Sequence, residues 1–374
     1  MNMRKKQEFR AAQATLFTGS RMKKVDRVYL ELSNICNFKC DFCPIDHSTR
    51  KKEYMEFSLL KKAVDEIAEE KISDWIAFHV LGEPLLYPRF LDAVSYVKSK
   101  GLKLLVTTNG ALLTREIVRS LVKLQVDKLS ISLEGANEQD HLSRGSKIEF
   151  RDYYSRILEG LRVIKHTPGN TKVMLSMMNP SSKKYFNIDK NKEMGPTQGG
   201  FKAKLLSVIR DIYKAIGRDI PGEKILCSLA KINCNRPKEV VIDEQIRIYI
   251  QMFMDWGNAF TAKSVVPSKI GYCGYALNNV GVLSNGNVTI CCADYDGATC
   301  LGNLKNRSLT SLLLSEKAEE VREGFQHFRV THPYCRRCLG SSSKVKAFMK
   351  GLLSIYLFKL VSHPLKARSV KIGV

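Results

Sequence analysis

The 374-residue chain is predicted to have an α/β fold, a partial, TIM-like (β/α)6 barrel followed by a small C-terminal cysteine-rich domain. Three observations predict it. Short apolar runs alternate with amphipathic helical patterns from Arg27 to about Val265, the rhythm of parallel strands joined by crossover helices. Six such units are present, too few for a closed eight-stranded barrel, so the barrel is expected to be open. After Ser268 the rhythm stops and the sequence becomes rich in Gly and Cys.

Residues 1–26 read as a basic N-terminal arm. MNMRKKQEFRAAQATLFTGS has no apolar segment after its basic residues, unlike a secretory signal. Five strands are expected at RVYLELS (27–33), WIAFHVL (75–81), KLLVTT (103–108), DKLSISL (127–133) and TKVMLSMM (171–178). Helices are expected over 58–70, 90–99, 115–124 and 150–165. Residues 179–242 open with NPSSKKYFNIDKNKEMGPTQGG and read as an insertion. A helix over 246–256 and a sixth strand over 259–265 complete a barrel spanning 27–268. A second domain is expected at 269–340, with a hairpin cue at Asn285-Gly286. The tail, 341–374, carries seven Lys or Arg around AFMKGLLSIYLFKLV and no acidic residue. A basic amphipathic helix on a membrane surface and a helix packed on the protein's own core both fit it.

Composition narrows the function. No run reaches about 18 uncharged apolar residues, which argues against a spanning helix. With no secretory signal, a cytoplasmic location is expected, with peripheral membrane contact through the tail as a further reading. Eleven cysteines in such a compartment point to metal rather than disulfides. The net charge of +23, from 60 Lys and Arg against 37 Asp and Glu, favours anionic partners. A lysine-rich solvated surface accounts for it equally. No aromatic–basic signature speaks for nucleic acid as a partner.

Cys36, Cys40 and Cys43 are separated by three and then two residues, directly after the first strand. Thiolates hold iron–sulfur clusters, and four irons want four ligands. Three cysteines leave one iron open, as a catalytic metal requires. A zinc site closed by His47 fits the same spacing.

This C-x3-C-x2-C loop, with Phe42 before its last cysteine, resembles the radical S-adenosylmethionine (SAM) superfamily. HVLGEPLLYP resembles that family's Gly-Glu-Pro motif, with Leu81 where many members have a further Gly. The resemblance implies that Gly82, Glu83 and Pro84 bind the methionine amino group. VTTNGALL contributes Thr108 and Asn109; SISLEGANEQDHLSRG contributes Ser132 and Glu134, facing the cofactor, and Arg144, pairing with its carboxylate. All four motifs follow predicted strands one to four, at the end where parallel barrels carry their sites. What the resemblance implies is a 4Fe-4S cluster on Cys36, Cys40 and Cys43 as the catalytic centre. Reduced by a partner such as flavodoxin or ferredoxin, it cleaves SAM to a 5′-deoxyadenosyl radical that abstracts hydrogen from substrate.

Cys273, the Gly286-x4-Cys291 spacing, Cys335 and Cys338 resemble the auxiliary-cluster domain called SPASM, in its shortened one-cluster form, twitch. A second 4Fe-4S cluster is implied. Cys292 is one residue late. Neighbouring side chains of a strand face opposite ways, so one of the pair is expected to be a ligand. A structural zinc site is the alternative. Cys227, Cys234 and Cys300 fit no pattern and read as buried thiols, although Cys227 and Cys234 could lie near substrate. The nearest resemblance for the reaction is dehydrogenation or rearrangement of a small polar or phosphorylated sugar-like substrate, with the auxiliary cluster accepting an electron. Modification of a ribosomal peptide is a rival. The 26 residues before the first strand leave little room for a leader-binding domain. A zinc-bearing, nucleic-acid-binding protein is a third, non-enzymatic reading.

Overall fold

A computed structural model describes residues 24–179, 200–220, 222–232, 238–260, 264–357 and 368–371. The arm 1–23, residues 180–199 and much of the tail beyond 357 lie outside these, as does Cys234.

The five expected strands form as β1 (Arg27–Leu30), β2 (Trp75–Phe78), β3 (Lys103–Thr108), β4 (Lys128–Glu134) and β5 (Lys172–Asn179). Between them run α1 (Phe57–Glu69), α2 (Phe90–Ser99), α3 (Arg115–Lys123), the short α4 (Glu138–Leu142) and α5 (Phe150–His166). Each long helix buries one stripe. On α3, Val118, Leu121 and Val122 face the sheet, and the Thr114 hydroxyl caps the start by accepting from the Ile117 amide.

The stretch read as an insertion contains α6 (Phe201–Ala215), α7 (Gly222–Lys231) and β6 (Lys238–Val241). Helix α6 joins the core through Leu205, Val208, Ile209 and Ile212.

The sixth parallel strand is β7 (Ile246–Met252), which corrects the expected helix over 246–256. Ile246, Ile248 and Ile250 are buried and alternate with half-buried Arg247, Tyr249 and Gln251, the two-residue period of a strand. The strand expected over 259–265 is absent from the described part of that segment, where Trp256–Phe260 form a turn.

Strands β1, β2, β3, β4, β5 and β7 pair in parallel in that order, with β6 antiparallel on β7 and β11 (Arg368–Lys371) outside it. The barrel is therefore open. Residues 269–340 extend the same sheet. After α8 (Gly274–Asn278), β8 (Asn279–Val282) pairs parallel with β1. Strand β9 (Asn287–Thr289) returns through the hairpin at Asn285-Gly286, where Gly286 takes φ +90°. β10 (Cys300–Asn303) forms the far edge. Helices α9 (Leu309–Leu313), α10 (Glu316–Gln326), α11 (Pro333–Cys338) and α12 (Lys344–Ile355) follow. Among the described residues no helix is long and apolar enough to cross a membrane.

Candidate active site

The loop after β1 carries the first three cysteines and is pinned from several sides. The Asn34 side chain donates to Lys51 O and accepts from Glu53 N, each at 2.7 Å. The Lys39 and Asp41 amides donate to Arg144 O and Ser143 O, at 3.0 and 2.9 Å. Gly82, at φ +73°, lies under the loop. A Cβ there would meet Ser33 O at 2.2 Å and Ile35 O at 2.8 Å, so only glycine fits.

Cys36, Cys40 and Cys43 line one cavity of about 340 Å3 with Phe42, Gly82, Glu83, Thr108, Asn109, Ser132, Glu134 and Arg144. The structure thus brings together on one face every residue assigned to the first site except Pro84. Pro84 is buried at the start of the adjoining 3-10 turn. His47 does not line the cavity. Its ring meets Phe260 edge-on at 5.1 Å, which leaves the zinc reading without its fourth ligand.

Burial pushes the Cys40 thiol up to about 11, partly opposed by Arg144, and burial with neighbouring Cys40 pushes Cys43 up to about 12. Crowded buried thiols of this kind suit a cationic metal group that deprotonates them. Among the described residues no three donor groups converge closely enough to hold a single metal ion.

Glu83 fastens β2 to β3. Its carboxylate accepts from Leu85 N at 3.1 Å, Thr108 Oγ1 at 2.7 Å and Asn109 N at 2.7 Å. Burial pushes its carboxyl up to about 7 against those three donors. Asn109 turns back to the cluster loop, donating to Asn37 Oδ1 at 2.7 Å and lying 3.7 Å from Cys36 Sγ. Glu134 sits at a bulge ending β4 with φ +63°, a costly conformation for a non-glycine residue and one that concentrates at functional sites. It accepts from Gln251 Nε2 at 2.6 Å, and burial pushes it to about 7.

Arg144 is 2% exposed. It donates to Leu133 O and the Tyr153 hydroxyl, and its guanidinium lies 4.7 Å from the Phe38 ring centre. Burial acts to lower its affinity for the proton, but Tyr153, Cys40 and Glu134 outweigh this and hold it charged. Its Nε is buried with no hydrogen-bond partner. An orphaned buried cationic donor beside the cluster loop fits a carboxylate-bearing cofactor.

Several site residues escaped the sequence. Tyr153, from α5, donates to Asn109 O at 2.9 Å and Ser132 O at 3.2 Å, joining two motif loops. Tyr29, Tyr249 and Gln251 line the cavity from strands β1 and β7, and His79 from the residue just after β2. Strand alternation was the available signal for Tyr249 and Gln251. Burial pushes the His79 imidazole down to about 4, so it is neutral at pH 7. Glu31 and Arg50 form a buried pair at 2.7 Å, their side chains 0% and 6% exposed. Among the described residues lining the cavity Arg144 is the only Lys or Arg, so most of the charge of +23 is carried elsewhere.

The cysteines of the second set lie within electrostatic reach of one another. Burial raises Cys273 and Cys338 to about 12, with Cys291 adding to both, and Cys335 is raised by burial and by Cys273, Cys338 and Cys291. Cys291 and Cys292 lie just beyond β9 and hydrogen-bond each other; Cys291 joins the set, and Cys292 also contacts Tyr29 and packs on the cluster of Tyr29, Val80 and Leu283. Cys227 is exposed, which corrects its reading as a buried thiol, and Cys300 is half-buried.

Two family models match the stretches that carry the two cysteine sets. The model of the radical SAM superfamily matches residues 30–186, and that of an iron–sulfur cluster-binding domain, SPASM, matches 273–339. The chain is 36% identical over 107 residues to the tungsten-containing aldehyde ferredoxin oxidoreductase cofactor-modifying protein of Pyrococcus furiosus, covering 29% of this chain and 30% of that one. It is 24% identical over 173 residues to the S-adenosyl-L-methionine-dependent 2-deoxy-scyllo-inosamine dehydrogenase of Niallia circulans, covering 43% and 69%. The crystal structure of BtrN in complex with AdoMet and 2-DOIA aligns with a TM-score of 0.50 at 16% identity, over 82% of this chain and 89% of that one, a likeness of fold. Against three of the curated relatives the match spans 30%, 38% and 42% of their length.

Proposed function

Because the chain belongs to the radical SAM superfamily and carries a C-terminal SPASM-type iron–sulfur domain, we propose that it oxidises a small hydroxylated, sugar-like substrate. A 4Fe-4S cluster with SAM in the barrel, and a further iron–sulfur cluster in the C-terminal domain, come with these two domains. Cys36, Cys40 and Cys43 hold the first cluster in this reading, and Cys273, Cys291, Cys335 and Cys338 the second.

When bound, SAM and its cluster supply a 5′-deoxyadenosyl radical that takes one hydrogen atom from the substrate. The residues of the chain do the rest. Arg144 holds the cofactor's carboxylate through the Nε that lacks a protein partner. Thr107, Ser130, Ser176, Tyr249 and Gln251 present hydroxyl and amide groups to a polyol. A carbinol carbon that has lost a hydrogen atom becomes a carbonyl by losing one electron and one proton. Glu134, which lines the cavity with its carboxyl raised by burial to about 7, accepts the proton. The second cysteine set holds the electron acceptor.

The contact between Cys292 and Tyr29 carries this reading. Cys292 adjoins Cys291 and Tyr29 lines the cavity, so this contact supports a path for an electron between the cavity and the second cysteine set. The similarity to a 2-deoxy-scyllo-inosamine dehydrogenase supports the same reaction class.

The test is anaerobic incubation of the reconstituted enzyme with SAM, a reductant and a panel of amino-cyclitols and sugars. A product lighter by two hydrogens, formed in step with 5′-deoxyadenosine, is expected. SAM cleavage with every polyol left intact would refute the substrate class.

A further inference from the structure

Helix α12 is packed the opposite way to an ordinary surface helix. Its buried residues are small: Ala347, Gly351 and Ser354. Gly351 lies so close to the Ser268–Tyr272 segment that a Cβ would meet Ile270 O at 2.5 Å. Ser354 Oγ accepts from Tyr272 N at 2.9 Å and donates to Gly351 O at 2.6 Å. This seam fixes the helix's rotation and sends its large residues outward. Val345, Phe348, Met349, Leu352, Leu353 and Tyr356 are 41–73% exposed.

At about 100° per residue these six side chains fill one arc of about 140°. By the same geometry Lys344 and Lys346 stand at its two borders, and both are exposed. Phe348 also borders a cleft of about 620 Å3 whose lining includes Lys269, Arg336 and Lys344 and, among the described residues, no acidic one. An apolar arc edged by lysines, beside a largely apolar cleft whose charged lining residues are basic, is complementary to acyl chains beneath anionic headgroups. A contiguous exposed apolar strip of this kind marks an interaction surface. The site cavity does not account for the basic charge of the chain, and this face is where part of it gathers.

We infer that the outer face of α12 docks the protein on an anionic lipid bilayer, lying in the interface rather than spanning it. The apolar arc enters the headgroup boundary, and the Lys269–Arg336–Lys344 cleft receives headgroup phosphate.

The test uses the full chain, anaerobically reconstituted, in cosedimentation with phosphatidylcholine vesicles containing either no or about a quarter phosphatidylglycerol. At least about tenfold tighter binding to the anionic vesicles is expected. A Phe348→Ser/Leu352→Ser variant should lose at least about tenfold of it, with unchanged melting temperature because both side chains are solvent-exposed. Equal or absent binding to the two vesicle types, or wild-type binding by the variant, overturns the inference. So does a wild-type dimer that the variant converts to monomer, which would assign the face to a second copy. Loss of binding to an acidic reductase without loss of vesicle binding would assign it to a protein partner and overturn it as well.

Discussion

Glu31→Gln probes the joint between the cluster loop and the C-terminal segment. The Glu31 carboxylate accepts from both terminal nitrogens of Arg50 at 2.7 Å, from Leu81 N at 3.2 Å, from Ser284 N at 2.9 Å and from Ser284 Oγ at 3.0 Å. Arg50 Nε in turn donates to Tyr295 O at 2.9 Å. One buried carboxylate therefore ties together the ends of β1 and β2, the loop that follows Cys43, and the β8–β9 hairpin. In the amide variant one oxygen becomes a donor facing donors, and the Arg50 charge stays buried without its counter-ion. Breaking one side of a buried pair costs about 3–5 kcal/mol. At about 2.1 cal/mol/K per residue, 374 residues unfolding together have an entropy near 0.8 kcal/mol/K, so the melting temperature should fall by about 4–6 °C. Scanning calorimetry at pH 7 measures this. Adding Arg50→Met should recover part of the loss, with a coupling of at least about 1 kcal/mol in the double-mutant cycle. A shift under about 1 °C, or additive effects of the two substitutions, would refute the argument that the pair acts as a clamp.

Three further outcomes are expected. Gly82→Ala forces its Cβ into Ser33 O at 2.2 Å and displaces the loop leading to Cys36; SAM cleavage should drop about 10²-fold with iron content reduced, as 5′-deoxyadenosine assay and iron analysis would register. Replacing Cys36, Cys40 and Cys43 by Ala should abolish cofactor cleavage, whereas Cys273→Ala/Cys291→Ala should retain some cleavage and block substrate turnover; full product from the second variant excludes the electron-acceptor role. Burial lowers His79 to about 4, against about 6.5 in the unfolded chain. Between those values the unfolded state takes up a proton that the folded state refuses, so stability falls as pH falls through that window. Melting temperatures from pH 7 to pH 4.5 should decline less steeply in His79→Gln, and identical slopes would remove His79 as a buried neutral group.

The first five strands were legible because short apolar runs between turn signals have few other uses, and each cysteine or glycine motif follows one of them directly. Segment 246–256 misled for a definite reason. Ile246, Ile250 and Phe253 recur at helical spacing, while Ile246, Ile248 and Ile250 recur at strand spacing. Only pairing with β5 over Val173–Asn179 decides between the two patterns.

By itself the sequence determined the strand–helix rhythm, the two cysteine sets and the motif residues that converge on one face, because spacing along a parallel sheet carries loops to a common end. Tertiary structure decided the rest. Glu31 and Arg50 are an unremarkable pair of charges nineteen positions apart until both are buried around the hairpin. Tyr153 is one aromatic of an amphipathic helix until its hydroxyl reaches two motif loops. The amphipathic pattern of α12 was visible in the chain, but which face turns outward depended on the small-residue seam against Ser268–Tyr272, a contact between segments about 80 residues apart.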